Sequence, residues 1–190
     1  MTAQLSNDIT QFLNLDTTRD LLAAAKKFID ILENKTLTKD EFLKLSHSAL
    51  VDLYSTGHKL QEIELKYSSA DSEFDRDEMF DNKNAGLISE LGEEAFYWEI
   101  FDPTYSEQNG KPKIGWTIAD REGLQGWLVD DFADIYRDLK IELEKMNRIG
   151  TDEAIEDALW QLKFSFRNHW GRHCINAIRY LHYYWYDNKI

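Results

Sequence analysis

An all-α fold, a single-domain bundle of about five to six amphipathic helices, is predicted by three features of the chain. Two prolines and nine glycines in 190 residues leave long stretches without a helix breaker. Apolar residues recur at three- and four-residue steps over most of the length. Finally, the stretch from Phe164 to Tyr186, FSFRNHWGRHCINAIRYLHYYWY, places Phe166, His169, Trp170, His173, Ala177, Tyr180, Leu181 and Tyr184 on one helical face. That face is too broad and apolar to remain wet, so it is expected to form the central core helix. A chain of this length buries roughly two-thirds of its unfolded surface as one domain, residues 1–190, without staples.

Taken in order, residues 1–15 lack a clear period and are expected to fray, or to dock one short turn through Ile9, Phe12, Leu13 and Leu15. Leu21, Leu22, Ala25, Phe28, Ile29 and Leu32 predict a helix from about Thr18 to Asn34, with Lys26 and Lys27 outside its apolar stripe. Thr38 followed by Glu41 is a capping box, and it opens a helix whose buried face is Phe42, Leu45, Ala49, Leu50 and Leu53. Gly57 is its expected stop. Residues 66–84 are polar and acidic and read as a surface loop. Asp71, Glu73, Asp75 and Asp77 have the alternation of a calcium loop, but Arg76 stands where glycine is needed and Asn82 where a bidentate glutamate belongs. Helical spacing resumes over Ala85 to Ile100, and Asp102-Pro103 closes it. Residues 104–124 are expected to be a long loop, or to contain a short strand through Ile114, Trp116 and Ile118. A helix from about Gln125 to Ile149 follows, and the last is expected to run from Thr151 or Asp152 past Tyr184 unless Gly171 kinks it.

Charge and cysteine usage exclude several function classes. With 35 acidic against 22 basic side chains, the net charge of -13 repels phosphate backbones and anionic lipid, so neither nucleic acid nor membrane is an expected partner. No apolar run approaches the ~18 residues of a membrane span. A lone cysteine, Cys174, has no partner for a disulfide within the chain and suits a reducing cytoplasm.

Any chemistry would lie between the last two helices. Asp131, Asp134 and Asp138 share a strip about 60° wide on one helix, while His169 and His173 stand one turn apart on the next. If the two helices pack antiparallel, these groups converge into a ligand set for a divalent metal such as zinc, iron or manganese. The expected arrangement, however, is a pair of core histidines bonded to carboxylates, with no cofactor, and acids paired to Arg137, Arg172 or Arg179, and the metal site is the alternative. His169 and His173 have the spacing of the metalloprotease H-E-x-x-H helix, but Trp170 replaces the glutamate that activates water. Comparison with magnesium-dependent all-α nucleotide pyrophosphohydrolases also falls short, since Glu93-Glu94 is followed by Tyr97 where a third glutamate belongs.

Three strings in the C-terminal half carry a family resemblance. They are Tyr97-Trp98-Glu99-Ile100-Phe101-Asp102-Pro103, the run from Val129 to Lys140 (VDDFADIYRDLK), and His169-Trp170-Gly171-Arg172-His173 with Ala177, Arg179, Leu181 and His182. Over residues 90–186 the chain resembles an uncharacterised bacterial family catalogued as domain of unknown function 5063. The resemblance implies an all-α bundle in a bacterial cytoplasm and draws attention to the same Asp and His residues. It implies no reaction.

The functional expectation is a cytoplasmic, non-enzymatic protein-binding module of regulatory, adaptor or immunity type. The alternative is a metal-dependent hydrolase. It takes His169, His173, Asp131, Asp134 and Asp138 as candidate ligands, Asp131 or Asp134 as general base, and Arg137 or Arg172 to hold an anionic substrate. A third possibility is that the acidic surface mimics nucleic acid.

Overall fold

The computed structural model of the protein describes residues 5–68, 91, 95–99 and 123–186. The acidic stretch after Ser68 with its calcium-like spacing, Glu93-Glu94, most of the expected helix over 85–94, and the expected loop up to residue 122 lie outside these residues. In chain order the elements are α1 (Asn7–Leu13), α2 (Asp16–Glu33), α3 (Lys39–Lys59), β1 (Phe96–Glu99), β2 (Leu124–Trp127), α4 (Leu128–Arg148), α5 (Asp152–Asn168) and α6 (Trp170–Tyr186). The described residues form a helical bundle with one two-stranded sheet.

Local signals set most helix ends. Thr38 Oγ1 accepts the Glu41 N–H at 3.3 Å and Glu41 Oε2 accepts the Thr38 N–H at 3.0 Å, so the capping box satisfies two orphan amides of α3. Gly150 takes a positive φ of 63° beyond α4, and Thr151 caps α5 by accepting the Ala154 N–H. In the N-terminal segment, Ile9 of α1 packs against Ile155 and Leu159 of α5, while Asp152 accepts the Ser6 N–H at 3.0 Å.

The core is assembled on α4. Leu128, Phe132, Ile135, Tyr136 and Leu139 bury one stripe of it, and the Phe132 ring stands edge-on to Phe28 of α2 (5.9 Å) and Phe42 of α3 (5.7 Å). Behind this stripe, Lys145 bridges Glu142 of its own helix and Asp157 of α5 in a buried ionic cluster. Glu156 of α5 accepts the backbone N–H groups of Lys66, Tyr67 and Ser68, each at 2.8 Å, and so ties the chain beyond α3 to α5. Burial pushes the Glu156 carboxyl up, but these amides outweigh it and hold the group below the usual glutamate range.

Two expectations need correction, and the open question of a kink at Gly171 is decided. Gly57 does not stop α3, which continues to Lys59; the glycine instead makes room for the ring of Trp170, which a Cβ there would strike. Residues 96–99 are not helical and residues 124–127 precede the helix, because the two segments pair antiparallel as β1 and β2, with Phe96 opposite Trp127 and Tyr97 opposite Gly126. Alternation wins here: Tyr97 turns inward while Trp98 stays 74% exposed. Nor is the C-terminal helix continuous. It breaks at His169 (φ −142°, ψ −89°), dividing α5 from α6.

Gly171 is what permits so tight a break. A Cβ at this position would overlap the carbonyl oxygen of Phe166, so only glycine lets the first turn of α6 press against the last turn of α5. Trp170 then fixes the direction of α6. Its buried indole N–H donates to the Leu162 carbonyl at 3.1 Å and its ring packs on Phe166 at 4.9 Å. Gly171→Ala should therefore lower folding stability by about 2 kcal/mol, as overpacking does, read as a reduced urea midpoint at unchanged slope. A shift within error would show that the break relaxes at no cost.

Candidate metal centre

The break brings both histidines onto α4. Asp131, Asp134 and Asp138 follow one another at i, i+3 and i+7 on that helix, and they meet the imidazoles in reverse order. His173 Nδ1 lies 2.8 Å from Asp131 Oδ1, and His169 Nδ1 lies 2.8 Å from Asp138 Oδ2. Low number meets high number, so α4 and α6 run antiparallel, which is the condition for convergence. Asp134 stands between the rings, its Oδ2 3.4 Å from His173 Nε2 and 3.9 Å from His169 Nε2. One ligand atom from each of Asp134, His169 and His173 lies within 4.8 Å of the other two.

The hydrogen-bond chemistry restricts the tautomers. Ionised Asp131 and Asp138 only accept, so each Nδ1 must carry its hydrogen and each neutral ring must present a bare lone pair at Nε2. Those lone pairs face a third acceptor, the Asp134 carboxylate. His173 Nε2 is buried and makes no hydrogen bond, its nearest carboxylate oxygen being that of Asp134 at 3.4 Å. With both rings neutral, three acceptors converge with no donor among them. Such an arrangement is stable only when a proton or a metal cation lies between them.

Supporting groups hold Asp131 in place. The Tyr97 hydroxyl donates to its Oδ2 at 2.5 Å, and the carboxylate is 3% exposed. Burial, then the bond to Asp131, raises the Tyr97 pKa, so the phenol remains a donor. Tyr97 reaches this position because its β2 partner is Gly126, where any Cβ would collide with the tyrosine ring. Next to it, Asn176 of α6 donates to Glu99 and locks β1 along the helix. Burial also raises the Asp131 carboxyl, although the bonds from His173 and Tyr97 oppose it. For His173, burial favours the neutral ring, but the hydrogen bond and charge of Asp131, with the charge of Asp134, prevail and raise its pKa; Arg172 acts weakly against them.

Other sequence-derived candidates are not among the converging ligand groups. Arg137 is exposed on α4, and Arg172 is half-buried on α6. Asp131, considered above as a ligand or base, has both oxygens committed, one to His173 and one to Tyr97. Cys174 is fully buried, and burial together with the nearby Asp131 charge holds its thiol well above the ordinary range, which makes it inert. Tyr97, Glu99, Asn176 and Gly126 were not assigned roles from sequence. No helical or motif spacing links Tyr97 to a helix 34 positions away, and only the Tyr97-Trp98-Glu99 string marked the place.

Comparison with known proteins bears on the fold. A family model described as Domain of unknown function (DUF5063) matches residues 13–187. The chain belongs to this family. The match extends nearly to α1, well beyond the C-terminal strings that first suggested it. A crystal structure of protein BF1032 from Bacteroides fragilis, a structural-genomics target, superposes with a TM-score of 0.64 at 20% identity, covering 93% of this chain and 96% of that one. It shows that the fold is shared. No curated protein matches the chain. No helix among the described residues is long and apolar enough to cross a membrane.

The raised His173 pKa has a definite sign for stability. In metal-free protein the contribution of the Asp131–His173 pair is fully present below about pH 6.5, the value of an unfolded imidazole, and is lost as pH rises through the higher folded value. Histidine NMR of chelator-treated protein should show His173 titrating above the ordinary range. Asp131→Asn should bring it down, because the hydrogen bond and charge that raise it are gone. An unmoved titration would mean that Asp131 does not govern this ring.

Proposed function

We propose that the protein is a metal-dependent enzyme of hydrolase type, with Asp134, His169 and His173 as ligands of one divalent ion. The observation that carries this reading is the convergence of Asp134 with two imidazoles whose Nδ1 atoms are each held by another carboxylate, one ligand atom of each lying within 4.8 Å of the other two. The spacing fits. Ligands about 2.05 Å from a tetrahedral ion stand about 3.3 Å apart, close to the 3.4 Å and 3.9 Å found for Asp134 against the two rings. Asp131 and Asp138 then act as the outer carboxylates that fix imidazole tautomer and orientation.

The donor count points to catalysis rather than to a structural ion. Structural zinc sites close all four positions with protein, whereas three protein ligands leave one position for a reactant. The ligands also reach solvent, His169 with 41% and Asp134 with 33% of the side chain exposed. A bound ion would supply Lewis acidity at that open position. Arg172, whose charge is felt at His173, is the candidate for holding an anionic group of the substrate.

Elemental analysis of untagged protein tests this directly. The expected result is one equivalent of transition metal, lost in Asp134→Ala and in His169→Ala with His173→Ala, and held 10- to 100-fold more weakly in Asp138→Asn, in line with losses of outer-shell partners of roughly that size. Affinity should also fall as pH drops through the His173 pKa, because proton and metal compete for Nε2. Substoichiometric metal that reconstitution does not increase would overturn the proposal.

A second reading, a protein-binding module of regulatory, adaptor or immunity type, is supported by the outer face of the hairpin. Phe96 and Trp127 stack at 5.3 Å while both remain more than a third exposed, and Leu124 beside them is 47% exposed. Metal content separates the two, since docking through β1 and β2 requires none.

A further inference from the structure

Beyond the metal centre, a cleft of about 240 Å³ opens between β1 and the C-terminal half of α6. Tyr97, Trp98, Arg179, Tyr180, Tyr183 and Tyr184 line it. Its composition is narrow, with five aromatic side chains and one cation. The rings offer faces: Tyr180 and Tyr184 lie nearly parallel at 6.2 Å and 19°, and Tyr97 leans on Tyr180 at 5.7 Å. Trp98 is the most exposed large apolar side chain among the described residues. A tryptophan left in water beside a row of tyrosines has unsatisfied stacking capacity. Arg179 is exposed and makes no ion pair among the described residues, in a protein whose acidic groups outnumber its basic ones 35 to 22.

We propose that this cleft binds a small molecule made of one planar ring system bearing an anionic group. The ring stacks between Trp98 and the tyrosines, and the guanidinium of Arg179 receives the anion. The volume admits one ring with its substituent, not a peptide or a polynucleotide. The net charge of -13 repels anions at a distance, so Arg179 acts at contact range. Tyr97 belongs to both places. Its ring lines the cleft and its hydroxyl holds Asp131, which in turn orients His173. A ligand in the cleft would therefore touch the ring whose hydroxyl holds Asp131; its binding does not rest on the function proposed above.

Nucleoside monophosphates and simple aryl phosphates or carboxylates share this chemistry. Titration calorimetry with AMP, phenyl phosphate and benzoate, on chelator-treated and on metal-loaded protein, tests the site and distinguishes these sources. At least one probe is expected to bind saturably in the absence of metal. Arg179→Gln should weaken it about tenfold, the size of losing one charged hydrogen bond, while leaving binding of the uncharged counterpart (adenosine or phenol) unchanged. Trp98→Ala should weaken charged and uncharged probes alike, by about tenfold. Both side chains are exposed, so both variants are expected to fold. Absence of saturable binding up to about 1 mM, or binding indifferent to both substitutions, overturns the proposal. Ligand binding by a protein that takes up no metal would leave the cleft standing and remove only the metal-dependent function.

Discussion

The arrangement of this protein depends on one steric permission, the absence of a side chain at Gly171. Because nothing projects from that Cα, the first turn of α6 lies against the Phe166 carbonyl at the end of α5. The helix axis is thereby redirected within two residues, and Trp170 wedges between Phe166 and Gly57 to set its course. His169 sits at the break and His173 one turn inside α6. Without the break the two rings would follow α5, and α4 would present its aspartates to something else.

The second constraint is the burial of Asp131. A carboxylate with 3% exposure costs several kcal/mol unless its oxygens are satisfied. Here a phenol satisfies one and an imidazole the other. Each partner is tied down in turn: Tyr97 by the space that Gly126 leaves, His173 by the packing of α6 on α4. The consequence is directional. Once Nδ1 of each ring is committed to a carboxylate, Nε2 has no freedom to choose a partner, and both rings offer their remaining lone pair to the region of Asp134. Structural need and chemical potential share the same atoms.

Much of this was legible beforehand where the physics is local. The all-α class followed from periodicity and the scarcity of proline and glycine, and the α3 start from Thr38 and Glu41, whose bonds close within four residues. The Asp face was legible too, since i, i+3 and i+7 fall on one side of the unbroken α4, and His169 and His173 were legible as neighbours although the helix breaks at His169. Three features were not. The strand at 96–99 has the apolar content of a helix face, and only its partner 124–127 makes it a strand. Gly57 carries the mark of a helix stop, yet its role is set by an indole from a helix more than a hundred residues later. Tyr97 has no motif because its bond to Asp131 crosses 34 positions.

By itself the sequence determined the helical class, the face of α4 on which the carboxylates stand, and a net charge of -13. Those properties depend on residue type and on spacing within a turn or two, so no neighbour can revoke them. Only the tertiary structure decided that the faces meet, that Asp131 and Asp138 are spent on Nδ1 while Asp134 is left opposite both Nε2 atoms, and that Tyr97 ties an aromatic cleft to the same group. These are matters of which elements pack together and at what register, and they are settled by Tyr97 against Gly126 and Trp170 against Gly57, long-range contacts that no local pattern encodes, together with the local approach of Gly171 to Phe166.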